Sequence, residues 1–146
     1  ALNGNYHELK YSLKGMDVSF SGLQNQALQL REKGMSSEDV ACSVQETAFA
    51  MLVEASERAL AHTGKKELVL GGGVACNARL QAMCRLMCKA RKVKFFCPLK
   101  SLLVDNGAMI GYTGELLFKK KLFISFDDLD IAPRQRTDQV AVKWRE

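Results

Sequence analysis

Apolar residues recur every three or four positions along the middle of the chain, which predicts a long amphipathic helix. Ser36, with Asp39 three residues later, resembles a capping box, and Gly64 supplies a stop, so we expect the helix from Ser37 to Thr63. At 1.5 Å per residue it would be about 40 Å long. Its apolar stripe consists of Val40, Val44, Ala48, Met51, Leu52, Ala55 and Ala59. We therefore expect this helix to be the scaffold of the fold.

A pattern of period two precedes this helix. From Gly15 to Gly22, apolar and polar residues alternate between two flanking glycines. This alternation predicts a half-buried strand. A shorter helix, from about Leu23 to Glu32, should follow the strand and end at Gly34.

Short apolar runs alternate with helical patterns in the second half of the chain. Leu68 to Leu70 and Val93 to Cys97 are expected to be strands. Helices are expected from Ala78 to Arg91 and from Ala108 to about Phe118. In the first of these, the inward residues are expected to be Leu80, Met83, Leu86, Met87 and Ala90. The order strand, helix, strand, helix predicts an α/β fold.

The tail beyond Phe123 has a looser pattern. Alternation returns at Val140, Val142 and Trp144. It predicts either a closing strand or an arm laid over the surface.

The composition bounds the class of protein. The chain has 146 residues, of which 47% are apolar and 25% charged, as in a single globular domain. It contains no run of about 18 apolar residues, so we expect no transmembrane helix and no membrane partner. The chain does not begin with Met, so we interpret it as a piece of a longer protein. A net charge of +5 is compatible with a nucleic-acid partner but does not establish one.

Cysteine and histidine usage gives no sign of a complete metal site. The five cysteines include no C-x-x-C pair, and several fall among apolar residues, so we interpret them as reduced core residues of an intracellular protein. His7 and His62 are the only histidines, and we place both on the surface. If the protein binds a metal, this chain holds only part of the ligand shell.

Two predicted helix entrances carry the candidate chemistry. The glycines Gly71 to Gly73 lie between a strand and a helix that opens at Asn77, and Asp105 opens the next helix. Glycines allow a ligand to approach the backbone closely, and a helix N-terminus favours negative charge. On one interpretation Asn77 and Asp105 are only helix N-caps. On the other, Asn77 binds a ligand at the glycine turn and Asp105 supplies a carboxylate to a cation. We expect the two side chains to lie at the rim of a shared cleft.

Four blocks in order and spacing resemble one known family. They are Lys14 to Gly22, Gly72 to Asn77, Asp105 to Ile110 and Gln135 to Trp144. Together they closely resemble the C-terminal half of the universal tRNA threonylcarbamoyltransferases, in the archaeal and eukaryotic cytosolic form that belongs to the KEOPS complex. Older names for the family are O-sialoglycoprotein endopeptidase and glycoprotease. The resemblance covers essentially the whole chain.

The resemblance implies a fold and a reaction. The fold would be the C-terminal lobe of an actin–hexokinase–Hsp70 (ASKHA) type structure, helix-rich with a short mixed sheet and forming a single domain over residues 1–146. The full-length enzyme would transfer a threonylcarbamoyl group from threonylcarbamoyl-AMP to N6 of the adenosine next to the anticodon, in tRNAs that read ANN codons. The family's H-x-x-x-H metal motif belongs to the absent half, so the fragment alone would be inactive.

Site residues follow from the matching motifs. Gly72, Gly73 and Asn77 would line the pocket for the adenylate or ATP, and Asp105 would bind one divalent metal ion, either iron, zinc or magnesium. No catalytic residue is identified in this half. Two departures from the family pattern concern the neighbourhood of these residues. Leu102 and Leu103 are more aliphatic than is usual before the metal carboxylate, and Gly71 is an extra glycine.

The resemblance also implies partners and a location. These are tRNA, the KEOPS subunits including a small protein kinase-like partner, and the missing N-terminal lobe, in the cytoplasm and nucleus. Lys119 to Lys121, Arg134 and Arg136 are candidates for contacts with the tRNA backbone, and a solvated basic surface is the alternative. Other functions remain open: a kinase of the same superfamily, the metalloprotease of the older name, or a structural module that holds partner subunits.

Overall fold

The computed structural model describes residues 1–136 and 139–145. The chain divides into two compact units, Ala1–Leu103 and Val104–Glu146. The single domain expected from the sequence stays a prediction, because two compact units of one chain can belong to one domain.

Helices dominate both units. The first unit contains, in chain order, β1 (Leu13–Lys14), β2 (Asp17–Val18), α1 (Ser21–Glu32), α2 (Ser37–Thr63), β3 (Glu67–Val69), a 3₁₀ helix (Gly73–Cys76), α3 (Ala78–Ala90), β4 (Lys94–Phe96) and a second 3₁₀ helix (Lys100–Leu102). The second unit contains α4 (Gly107–Lys119) and short 3₁₀ helices at Phe126–Asp128 and Lys143–Arg145. The α/β class is therefore confirmed.

The long helix α2 has the predicted bounds. At its start, the Ser36 hydroxyl accepts a hydrogen bond from the Asp39 N–H at 3.1 Å. At its end, Gly64 adopts a left-handed conformation with φ of 66°. The Asp39 carboxylate accepts from the N–H of Asn5 at 2.6 Å. This side chain therefore ties the N-terminal segment to α2.

The strand expected from Gly15 to Gly22 is largely wrong. Only Asp17–Val18 is a strand, and it pairs antiparallel with Leu13–Lys14 in a hairpin. Gly15 has φ of 61° and turns the chain back after two residues. Helix α1 then begins at Ser21 and buries Leu23 against α2. Packing against α2 therefore overrides the local alternation.

Strands β3 and β4 form a parallel pair connected through α3. Glu67 lies opposite Lys94, and Val69 lies opposite Phe96. Both strands were predicted, although each is shorter or shifted by a residue. The single mixed sheet was wrong: the antiparallel hairpin and the parallel pair are separate two-stranded sheets. The hairpin is local, whereas a parallel pair needs a crossover such as α3.

The core of the first unit lies along α2. One buried cluster joins α2 to α1 and the N-terminal segment and consists of Leu9, Leu23 and Met51. Two others join α2 to α3; they are Phe49, Leu80 and Cys84, and Leu60, Met87 and Cys88. The predicted inward position of Leu86 is wrong, since this side chain is 67% exposed. Leu86 falls outside the series Leu80, Cys84 and Met87, whose i, i+4, i+7 spacing faces α2.

All five cysteines are free thiols, and the predicted core position holds for two of them. Cys84 and Cys88 are buried, and the other three are half-buried. Burial raises the pKa of the Cys84 and Cys88 thiols above the ordinary value. Their role is therefore packing, because a raised pKa disfavours the reactive thiolate.

The second unit is built around α4, none of whose residues is buried. Asn106 caps this helix by accepting a hydrogen bond from the Met109 N–H at 3.0 Å. Of the two alternatives for Val140 to Trp144, the closing strand is wrong, since a 3₁₀ helix occupies Lys143–Arg145 and residues 139–142 contain no strand, whereas the arm over the surface stays a prediction. Within the described ranges, no helix combines the length and apolar character needed to cross a bilayer.

Candidate functional site

The glycine turn follows β3 as the sequence predicts. Leu70 continues the parallel pairing, its N–H donating to the Phe96 carbonyl at 2.9 Å. Gly72 has φ of 88°, a conformation that residues with a Cβ rarely adopt. A Cβ added at Gly71 or Gly73 would meet nothing within 4 Å. Only Gly72 is therefore required by the backbone of the turn itself, and Gly73 leaves open space for a ligand.

The backbone of this turn presents donors to solvent. Within the 3₁₀ helix, the Ala75 N–H donates to the Gly72 carbonyl at 3.0 Å. The N–H groups from Gly71 to Val74 have no acceptor in the described part of the chain. These residues are exposed. The turn can therefore donate hydrogen bonds to the oxygen atoms of an anionic ligand.

Asn77 caps α3, as predicted, and ligand binding by this residue stays a prediction. Its Oδ1 accepts from the N–H groups of Arg79 at 2.9 Å and of Leu80 at 3.4 Å. Its Nδ2 donates to Oε1 of Gln45, on α2, at 3.2 Å. A primary amide has two N–H donors, so one remains for a ligand. Capping and ligand binding by Asn77 are therefore compatible.

Neighbouring polar contacts attach this region to α2 and α3. The Arg79 guanidinium binds the carboxylate of Glu46, with Nε 2.8 Å from Oε1. Hydrogen bonds from Arg79 lower the pKa of Glu46 below its ordinary value. From the other side, the Gln81 side chain donates to the Ala75 carbonyl at 2.7 Å. Side chains of both helices thus hold the segment that directly follows the glycine turn.

Sequence reasoning missed Gln45 and Glu46. Both lie inside α2, between the stripe positions Val44 and Ala48, where polar residues normally face solvent. Their partners are 32 and 33 residues away along the chain. Nothing in the local sequence pattern identifies such long-range partners.

Asp105 differs from Asn77 in its structural role. The expectation that it caps α4 is wrong, because Asn106 is the cap. It also does not directly follow a strand, since the 3₁₀ helix Lys100–Leu102 lies between it and β4. The Asn106 amide accepts the capping hydrogen bond through its oxygen. Its nitrogen donates a second hydrogen bond to the Val104 carbonyl at 2.9 Å. The carboxylate of Asp105 is consequently not used for capping.

The Asp105 carboxylate is suited to supplying one ligand of a metal ion. It is exposed and has no hydrogen bond or ion pair with another described residue. Among the described residues, no group of three or more His, Cys, Asp and Glu side chains is arranged to hold a metal. His7 and His62 are exposed. Oxygen ligands suit hard divalent cations, so the donor fits a divalent ion whose other ligands come from elsewhere.

Asn77 and Asp105 belong to different compact units. The shared cleft expected for these two side chains stays a prediction. The assignment of Gly72, Gly73 and Asn77 to a nucleotide and of Asp105 to a metal likewise stays a prediction.

The candidate tRNA-contacting cations lie in the second unit. Lys119 forms an ion pair with Glu115, with Nζ 2.6 Å from Oε1. All the candidates, Lys119 to Lys121, Arg134 and Arg136, are exposed. Exposure fits both alternatives, phosphate contacts and a solvated surface, so tRNA binding at these residues stays a prediction.

Comparison with known proteins identifies the family. The family model for tRNA N6-adenosine threonylcarbamoyltransferase (TsaD) matches residues 1–112. A probable bifunctional tRNA threonylcarbamoyladenosine biosynthesis protein of Methanosarcina mazei is 54% identical over 139 residues, which are 95% of this chain and 25% of the relative. The corresponding protein of Methanocorpusculum labreanum is 50% identical over 99% of this chain and 28% of its own length.

A third relative carries the transferase name alone. The tRNA N6-adenosine threonylcarbamoyltransferase of Archaeoglobus fulgidus is 50% identical over 95% of this chain and 43% of its own length. The chain thus spans less than half the length of each of these relatives. From the family match and these identities, the chain belongs to the tRNA N6-adenosine threonylcarbamoyltransferase family.

Proposed function

We propose that this chain is the adenylate-binding, C-terminal lobe of an enzyme that transfers a threonylcarbamoyl group to tRNA. The donor would be threonylcarbamoyl-AMP, and the acceptor N6 of the adenosine next to the anticodon in tRNAs that read ANN codons. Family membership supports the reaction class. The activity belongs to the full-length protein, because the relatives are more than twice as long as this chain.

The observation that carries the proposal is the glycine turn with its unpaired N–H groups beside Asn77. In the proposed complex, the N–H groups of Gly72 and Gly73 donate to phosphate or ribose oxygens of the adenylate. The open space next to Gly73 allows this approach without contact with a Cβ. The remaining N–H of the Asn77 amide donates to the same ligand. These residues bind and orient the donor substrate.

We further propose that Asp105 holds one divalent ion, iron, zinc or magnesium, together with ligands from the missing half. When bound, such an ion supplies Lewis-acid polarisation of the carbamoyl carbonyl. The exposed carboxylate of Asp105 supports this role. With only this ligand among the described residues, the fragment would not bind the ion tightly, and we propose that it is inactive alone.

The proposal extends to fold and partners. The two lobes would form an ASKHA-type structure, with the nucleotide between the missing N-terminal lobe and this chain. The exposed lysines and arginines of the second unit would contact tRNA phosphates. KEOPS subunits, including a small kinase-like protein, would complete the assembly in the cytoplasm and nucleus.

The test uses full-length protein in its complex. Asp105→Ala should lower the bound metal and the transfer of the labelled threonylcarbamoyl group from threonylcarbamoyl-AMP to tRNA by about 10- to 100-fold, the range found when the support of a metal ligand is lost. Asp127→Ala, at another exposed aspartate of the same unit, is the matched control. Full transferase activity in Asp105→Ala, with a metal content like that of the control, would remove Asp105 from the site.

The same preparation distinguishes the other functions. Phosphoryl transfer to a small substrate would indicate a kinase, and metal-dependent peptide cleavage would indicate the protease of the older family name. Calorimetry of this chain with ATP separates a nucleotide-binding lobe from a purely structural module. Micromolar binding by the isolated chain would contradict the structural module.

A further inference from the structure

The cap places the oxygen of the Asn77 amide, and a second contact places its nitrogen. Oδ1 must face the N–H groups of Arg79 and Leu80, because only the oxygen accepts. Nδ2 therefore points to the opposite side, where it donates to Oε1 of Gln45. This hydrogen bond uses one of the two N–H groups of Asn77. Because the amide is planar, it also fixes the direction of the second N–H group.

An ion pair lies beside Gln45. The Glu46 carboxylate, which follows Gln45 on α2, receives the Arg79 guanidinium through both oxygens. Arg79 in turn lies two residues after Asn77 on α3. Two side-chain contacts, Asn77 with Gln45 and Arg79 with Glu46, thus join the start of α3 to adjacent residues of α2. Each contact limits the movement of α3 that the other would permit.

The part of α2 that carries Gln45 and Glu46 is well packed. Gln45 and Glu46 are half-buried on α2, next to the buried Thr47. On α2, Val44 before this pair and Ala48, Phe49 and Met51 after it belong to the core clusters. Movement of Gln45 relative to the glycine turn would disturb these contacts. The acceptor for Asn77 is therefore placed on a rigid element.

We propose that Gln45 is a positioning residue of the adenylate site, which orients the Asn77 amide so that its second N–H is presented to the nucleotide. The ion pair of Arg79 with Glu46 holds the start of α3 against α2, which keeps Asn77 within reach of Gln45. The inference rests on the proposed function of Asn77 as a nucleotide contact. It assigns Gln45 an indirect role, since nothing places this side chain itself on the ligand.

The test is nucleotide affinity of the full-length protein with Gln45→Met, a change that keeps the side-chain length and removes the acceptor. We expect the Kd for AMP to rise about 3- to 10-fold, as for loss of one intramolecular hydrogen bond. The KM for the adenylate donor should rise by the same factor, with kcat within about twofold of wild type, because a ground-state contact is weakened. A merely structural role would not produce this separation of KM from kcat.

Ser56→Ala is the matched control. It also removes a side-chain hydrogen bond of α2, from the Ser56 hydroxyl to the Leu52 carbonyl at 2.8 Å, away from Asn77. An equal rise in Kd in this control would show a general effect of α2 stability and overturn the inference. If Gln45→Met does not fold, Glu46→Gln is the second variant, and it should raise the Kd by about 2- to 3-fold because a neutral amide holds Arg79, and with it the start of α3, less strongly.

Asn77→Asp separates this inference from the proposed function. The variant keeps a capping oxygen and removes both N–H donors. If it leaves the Kd for AMP unchanged, Asn77 does not contact the nucleotide and the proposed site is wrong. If it weakens binding while Gln45→Met and Glu46→Gln leave the Kd unchanged, Asn77 is a contact that Gln45 does not position.

Discussion

The Arg79 guanidinium and the Glu46 carboxylate form a two-pronged ion pair between α3 and α2, with N–O distances from 2.6 to 3.0 Å. Arg79 lies on the first turn of α3, directly after the cap at Asn77. Glu46 lies near the middle of the long helix α2. The pair therefore fixes the start of α3, and with it the end of the glycine turn, to the scaffold of the unit.

This ion pair should make stability depend on pH. Arg79 lowers the pKa of Glu46 below its ordinary value of 4.5. A carboxyl group with a lowered folded-state pKa stabilises the protein above the unfolded-state pKa, and the contribution is lost as pH falls through the folded-state pKa. The Arg79 side chain is 47% exposed, so screening limits the contribution to about 0.5–1 kcal/mol.

Urea unfolding of wild type and Glu46→Gln between pH 3 and 7 checks this expectation. Wild type should be more stable at pH 7 by about 0.5–1 kcal/mol, and the difference should shrink as the pH falls below about 4.5. A difference that is independent of pH would show that the charge of Glu46 contributes nothing to stability.

The Tyr11 hydroxyl should have an unusually high pKa. Burial and a hydrogen bond from its hydroxyl to the Glu54 carboxylate raise the pKa of Tyr11 from 10.0 to about 12. Because the folded-state pKa is raised, the contribution of this bond to stability is complete below about pH 10 and is lost as the pH rises toward 12. Tyrosinate absorbance near 295 nm should show a late step that Tyr11→Phe removes. The same late step in Tyr11→Phe as in wild type would contradict the assignment, and Tyr112→Phe is the control.

The three glycines of the turn should differ in their response to alanine. Gly72→Ala should destabilise the protein by about 1–2 kcal/mol, because φ of 88° is unfavourable with a Cβ. Gly71→Ala and Gly73→Ala should change stability by less than about 0.5 kcal/mol, since their Cβ atoms would meet no neighbour. In the full-length protein, Gly73→Ala should nevertheless weaken AMP binding. Thermal unfolding and calorimetry of the three variants separate the two effects, and unchanged AMP affinity in Gly73→Ala would argue against close approach of the ligand.

Asn77 should show separable capping and binding roles. Asn77→Ala removes the cap of α3 and should cost about 1 kcal/mol of stability. Asn77→Ser retains a capping oxygen and should recover most of that loss, yet it cannot reach Gln45 or offer an amide N–H to the nucleotide. Denaturant unfolding measures the first effect, and the Kd for AMP in the full-length protein measures the second. Recovery of both properties in Asn77→Ser would leave Asn77 as a cap alone.

Elements with strong local signals were predicted well. The bounds of α2 follow from a serine cap, an apolar stripe and a glycine stop, all within one stretch of chain. The Asn77 cap and the glycine turn were also predicted, because cap and turn chemistry depend on neighbouring residues. Around Asp105 the same reasoning failed, since two adjacent side chains, Asp105 and Asn106, can both cap a helix. Which of them does so depends on the path of the preceding chain.

Features that depend on contacts between distant parts of the chain could not be predicted from local sequence patterns. The alternation from Gly15 to Gly22 predicted a strand, but packing of Leu23 against α2 starts a helix within it. Leu86 was expected in the core, whereas the face of α3 that meets α2 carries Cys84 and Cys88. Periodicity identifies an apolar stripe, but its exact centre depends on how the neighbouring helix lies against it.

By itself, the sequence determined the long helix, the glycine turn, the cap at Asn77 and, through its ordered motifs, the family. These depend on residues close together in the chain, where hydrogen-bonding and steric preferences act directly. Only the tertiary structure decided which side chains hold that turn in place. Gln45 and Glu46 acquire their roles because folding of α3 against α2 brings Asn77 and Arg79 within hydrogen-bonding distance, across more than 30 residues of chain.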